Sequence, residues 1–191
     1  MTEAETAAVI FRNEIIANKN LVEHLEAKNH QAAVKYLFVY LQKNKINENL
    51  ILKLHSLLMN GIRDDAGQYR RHGVRIVGAN VPTANYVRVP ERMKDLVKEI
   101  NKKPVDIIEQ ATIIHSKFEQ IHPFSDGNGR IGRLVLCAML LLNNLPPAVI
   151  QIKEKRLYLN NLRKSQLSDD FIPLESFICD AVLNGFKLLD N

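Results

Sequence analysis

The chain has 191 residues, with 26 Lys and Arg against 21 Asp and Glu, giving a formal net charge of +5. That length suits one compact domain that buries an apolar core without a disulfide or structural metal. The longest apolar run, Leu134 to Leu142, is about half of the roughly 20 residues a bilayer-spanning helix needs, which argues against a membrane protein. The basic residues are scattered, with Tyr69-Arg70-Arg71 the one basic pair beside an aromatic, and this argues against a nucleic-acid partner. The opening segment lacks the basic flank and apolar core of a signal peptide. Cys137 and Cys179 lie in apolar stretches and read as buried free thiols, so the expected location is the cytoplasm.

In chain order the pattern is mostly helical. Residues 3 to 17, rich in Ala and Glu, predict a first helix. Asn29 reads as the N-cap of a second, running to Gln42 with Ala33, Val34, Leu37 and Leu41 at helical spacing. Asn47 caps a third, with Leu50, Leu54, Leu57 and Leu58 as its stripe and Gly61 at its end. Between Ala66 and Pro90 the pattern alternates: Val74, Arg75, Ile76 and Val77, then Tyr86, Val87 and Val89 after a broad loop. This predicts a β-hairpin flap. Pro90 opens a helix to Asn101, and Pro104 opens another carrying His115 and Phe118. After a loop at 122 to 127 comes a nearly all-apolar helix through Leu134 and Leu141, predicted to be the buried centre and stopped at Leu145-Pro146-Pro147. Helical patterns near 154–166 and 173–188 complete an all-α bundle with one small β-hairpin flap.

Chemistry concentrates in residues 122 to 133, His-Pro-Phe-Ser-Asp-Gly-Asn-Gly-Arg-Ile-Gly-Arg. Gly127 and Gly129 permit close backbone approach and positive φ. A helix start offers unpaired N–H groups and a positive dipole end, which suits phosphate. Arg130 and Arg133, on neighbouring turns, add bidentate phosphate donors. Asp126 is a hard oxygen ligand of the kind Mg²⁺ takes alongside phosphates. His122 has the ordinary pKa of a general base at neutral pH. The combination points to phosphoryl or nucleotidyl transfer, and no Gly-Lys-Ser/Thr is present to make it a Walker A loop. A rival reading takes His115, Glu119 and His122, at i, i+4 and i+7, as ligands of a hydrolytic metal. A non-enzymatic scaffold is a further rival, opposed by the full set of reactive side chains.

The segment resembles the signature of the Fic family, His-Pro-Phe-x-x-Gly-Asn-Gly-Arg-x-x-Arg, at every fixed position. Leu54 to Leu58, Ala66 to Arg70, Val74 to Ile76 and Ala111 to Ile121 extend the likeness, which covers about residues 29 to 186. The resemblance implies a protein adenylyltransferase that moves AMP from ATP to a Ser, Thr or Tyr hydroxyl. His122 would be the base, Asp126 would hold Mg²⁺, and Gly127, Asn128 and Gly129 would position phosphates. Arg130 and Arg133 would hold the β- and γ-phosphates, and Tyr158 and Gln166 would meet the adenine. Residues 74 to 77 would dock an extended target segment by strand addition. Phe124 would plug the core and Pro123 stiffen the turn. The same likeness leaves open another phosphate-linked donor, AMP removal, self-modification and homo-oligomerisation.

Two departures stand out. Many members carry an inhibitory Ser/Thr-x-x-x-Glu-Gly/Asn helix whose Glu pairs with the second motif arginine. Residues 1–28 are the matching N-terminal helical region ahead of a domain at 29–191, and Glu14 is its candidate, expected on Arg133. Yet Ile10 and Ile15 flank Glu14 where the motif has other residues. Gln166 stands where relatives tend to have Asn.

Overall fold

The computed structural model describes residues 1–76, 78 and 80–189. Among these residues eight α-helices carry the fold: α1 Glu3–Ala7, α2 Leu21–Leu41, α3 Glu48–Leu58, α4 Val89–Ile100, α5 Ile107–Ile121, α6 Asn128–Leu141, α7 Lys155–Ser168 and α8 Ile172–Leu189. The starts follow local chemistry. Asn20, Asn47 and Asp106 accept from backbone N–H groups of the first turns of α2, α3 and α5, and proline sits in the first turn of α4.

α6 is the buried axis. Ile131, Leu134, Val135, Leu136, Ala138, Met139 and Leu140 are all within the core, and α5 packs along it. α4, α7 and α8 cover α5, while α2 and α3 pair and reach α6 from the other side. Removing this apolar area from water is the main stabilising contribution. Among the described residues no helix is long and apolar enough to cross a membrane.

Several expectations are corrected. The N-terminal helix does not run to residue 17. It is α-helical only over Glu3–Ala7, widens into a π turn at Ala8–Arg12, and ends where Asn13 turns left-handed at φ 57°. α2 begins at Leu21 and runs unbroken through Asn29, so Asn29 is not a cap. It is buried, and its amide donates to the carbonyls of Leu58 and Asn60, tying α2 to the end of α3. The thiols also differ: Cys137 is half-buried and Cys179 exposed.

The flap is not a hairpin. Among the described residues none is in a strand. Val74 O is met by the side-chain hydroxyl of Thr83 at 3.0 Å. The neighbouring Pro82 has no N–H, so a backbone ladder cannot continue there. Val74 and Ile76 are half-buried and Arg75 exposed. Val77, expected in the same docking edge, lies outside the described residues.

Candidate active site

α5 ends at Ile121, and His122 takes the left-handed conformation, φ 51° and ψ 62°, with its N–H on Phe118 O. This turns the chain back into α6 within a few residues and sets the imidazole at the corner. Its Nδ1 lies 3.1 Å from Glu119 O. A carbonyl only accepts, so Nδ1 carries the proton and Nε2 keeps its lone pair. Burial holds the imidazolium pKa below its ordinary value, with Arg70 adding to the effect and Glu119 O and Asp126 opposing it. Nε2 is therefore a neutral base at physiological pH.

The loop that follows is cross-braced. Asn128 accepts from Phe124 N and donates to Phe124 O, both at 2.8 Å. That engages its side chain in shaping the loop. Phe124 is fully buried and stacks on His55, with ring centroids 3.8 Å apart. His55 Nδ1 accepts from Gly67 N and Nε2 donates to Asp126 O at 3.1 Å. Burial pushes the His55 pKa down to about 4, so it stays neutral. Arg70, 3% exposed, donates to the carbonyls of His122, Ile121, His72 and Ala84. One guanidinium thus joins the flap's two arms to the His122 corner. Sequence reasoning noticed Arg70 and His55 only as part of a pattern, since nothing local in the sequence tells a buried clamp from a surface charge.

Gly127 has φ +80°, which side chains rarely adopt. It starts α6 without a side-chain cap. The first N–H groups of the helix are then left to a ligand, with the dipole's positive end behind them. Asp126 is exposed and its Oδ2 lies 3.9 Å from Arg130 Nη2.

The two arginines share one cavity, and Arg133 reaches a second. Arg130 and Arg133 border one of about 350 Å³ with Met1, Thr6, Glu23, Glu26 and His30. Arg133 also borders a second, of about 170 Å³, with Glu119, Gly129, Tyr158, Leu159 and Gln166. Tyr158 and Gln166 are thus brought together with Arg133. Glu14 is not. It pairs with Arg12 at the surface, because the chain leaves the helix at Asn13. Arg133 forms no salt bridge among the described residues; the motif arginine that meets a carboxylate is Arg130, 2.8 Å from Glu26 on α2. The rival metal set does not assemble either. His115 Nε2 is 2.7 Å from Tyr158 OH, and among the described residues no three His, Cys, Asp or Glu side chains are grouped to hold a metal.

The sequence profile of the Fic/DOC family matches residues 45–140. A protein adenylyltransferase fic-1 of Caenorhabditis elegans is 30% identical over 172 residues, covering 86% of this chain and 34% of its own. A probable protein adenylyltransferase of Aquifex aeolicus is 37% identical over 123 residues, covering 63% and 37%. This chain therefore spans about a third of the length of these relatives. Among solved structures, a Fic-1 fragment from C. elegans superposes with a TM-score of 0.89 at 26% identity, over 100% of this chain and 58% of that one. A Fic family protein from Desulfovibrio desulfuricans gives 0.84 at 28%, over 99% and 59%.

Proposed function

Since the chain belongs to the Fic/DOC family, we propose that it is a protein adenylyltransferase, moving AMP from ATP to a hydroxyl side chain of a protein. The observation that carries this reading is the state of His122. Its Nδ1 is committed to Glu119 O, which leaves Nε2 as the basic nitrogen, and α6 starts a few residues further on without a side-chain cap. Nε2 takes the proton of a Ser, Thr or Tyr hydroxyl. The oxygen attacks the α-phosphorus of ATP, the bond from that phosphorus to the bridging oxygen breaks, and pyrophosphate leaves. The N–H groups of Asn128 and Gly129 and the guanidiniums of Arg130 and Arg133 hold the phosphates while charge shifts to the leaving group. The nucleoside lies toward Tyr158 and Gln166.

Mg²⁺ fits the exposed Asp126 carboxylate, since that ion takes one or two carboxylates and completes its shell with phosphates and water. It would neutralise charge on the departing pyrophosphate. The extended arm at Val74, Arg75 and Ile76 presents backbone to a target segment by strand addition. A protein of the reducing cytoplasm is consistent with two free thiols.

The test is incubation with α-labelled ATP, Mg²⁺ and a cell lysate. Label appears on protein with the wild type, and His122→Ala lowers transfer by about 10²- to 10⁴-fold. Label that persists at the wild-type level in His122→Ala, or never appears, refutes the reading.

A further inference from the structure

The Tyr158 cavity contains a polar group that the reaction above does not use. Glu119, on α5, is 5% exposed and lines the cavity. Its Oε1 has no hydrogen-bond partner among the described residues. Burial pushes its carboxyl up to about 7, against the pull of Arg133. Leaving a buried carboxyl oxygen unpaired destabilises a fold. A second local loss makes room for it. Gly132 stands in the middle of α6, where glycine is a poor helix former. A methyl there would lie 2.3 Å from Glu119 Oε1. Two unfavourable choices at one point of a cavity are the pattern expected where a group is kept for a ligand.

Position suggests which ligand atom it meets. The phosphates belong at the start of α6 and its arginines, and the base at the end of the cavity lined by Tyr158, Leu159 and Leu162. Glu119 Oε1 lies between, 3.9 Å from the point a methyl on Gly129 would occupy. The part of a nucleotide joining phosphate to base is the pentose, whose polar atoms are hydroxyls. A carboxyl accepts from an O–H well, as acidic residues do on ribose in dinucleotide sites. Phosphate oxygens match it poorly, being acceptors themselves and negatively charged.

We propose that Glu119 is a specificity-determining residue that accepts a hydrogen bond from a ribose hydroxyl, so that the site selects ribonucleotides over deoxyribonucleotides. The inference rests on the nucleotide reading of this cavity.

The experiment compares kcat and KM for ATP, 2′-deoxy-ATP and 3′-deoxy-ATP, with direct binding of each, in wild type, Glu119→Gln and Glu119→Ala. The wild type prefers ATP over one of the two analogues by about tenfold, the size of one good hydrogen bond, and the difference sits in KM. Glu119→Gln, which keeps an acceptor oxygen, retains most of that preference, and Glu119→Ala brings the ratio to within about twofold. Equal treatment of the three nucleotides by the wild type overturns the inference without any variant. So does a Glu119→Ala enzyme that is slowed equally on all three, which would mark a purely structural carboxyl. A wild type that binds neither ATP nor the analogues sinks the nucleotide reading itself, and this inference with it.

Discussion

The two sides of the α5–α6 corner are built on opposite plans. On the His122 side, His55, Arg70 and Asn128 spend their polar atoms on backbone groups of the loop. On the arginine side, Arg133 has no salt bridge among the described residues, Glu119 Oε1 has no partner, and Arg130 holds a half-exposed carboxylate. The first side has no slack because a base must be held in place before it can act. The second is incomplete, and under the proposed function its missing partners are those a nucleotide would bring. A site can therefore be rigid where chemistry starts and unsatisfied where substrate binds, within one turn of chain.

The strongest way to break this contrast is at Arg70. Arg70→Met removes a donor fork from four carbonyls, one buried and three partly buried. We expect a loss of about 3 kcal/mol in chemical denaturation, since buried acceptors left unpaired cost about 1–3 kcal/mol each and the corner relaxes only in part. Labelling should fall as well, through kcat, because His122 O is one of the carbonyls released. Arg70→Lys keeps the charge but loses the planar fork and should fall between. An Arg70→Met protein of unchanged stability and kcat would show that the corner is not held from the flap.

Acidity sharpens the contrast further. For the base, lowering the His122 pKa keeps Nε2 unprotonated to more acidic pH. The acid limb of kcat/KM should lie below pH 6.5, and a limb above it would contradict burial as the controlling effect. For the fold, two signs compete. His55 and His115 are pushed down to about 4, so between about pH 4 and 6.5 the unfolded chain binds protons that these histidines refuse. Stability rises with pH in that window. Glu119, pushed up to about 7, holds a proton that the unfolded chain releases above about 4.5. Its contribution falls as pH rises toward 7. Above pH 6.5 only the Glu119 effect of these three remains. Glu119→Gln should therefore flatten the fall in Tm above pH 6.5 and steepen the rise between about pH 4.5 and 6.5, where Glu119 no longer opposes the two histidines.

What the sequence made legible follows the same division. The motif's residue types state their chemistry one by one, and helices α3 to α8 announce themselves through apolar spacing and caps such as Asn47. The bracing was not legible, because Arg70 meets Ile121 and His122 across some fifty positions of chain, and local patterns carry no such information. The flap was misread because alternation at Val74 to Ile76 describes an extended chain equally well with or without a paired neighbour. Glu119 was weighed as a metal ligand from its i+4 spacing. Its environment depends instead on Gly132, on another helix. The N-terminal helix failed for a backbone reason: Asn13 adopts φ 57° and ends it early, which carries Glu14 away from the arginines.

The smallest expected effect concerns the arginine that is already paired. Arg130 and Glu26 meet at 2.8 Å with side chains 23% and 41% exposed. A pair that wet contributes about 0–1 kcal/mol. Glu26→Gln should therefore free Arg130 for phosphate and lower the KM for ATP by about fivefold at most, with Tm nearly unchanged. Salt gives an independent check. Raising ionic strength toward 1 M shortens the screening length to about 3 Å, so the difference between wild type and Glu26→Gln should shrink. Glu14→Gly is the matched control. Its carboxylate is spent on Arg12 at the surface, and its removal should leave labelling unchanged. If Glu14→Gly raised activity while Glu26→Gln did not, the restraint on this site would come from the π-turn segment rather than from α2, and the arginine side would be less open than its geometry indicates.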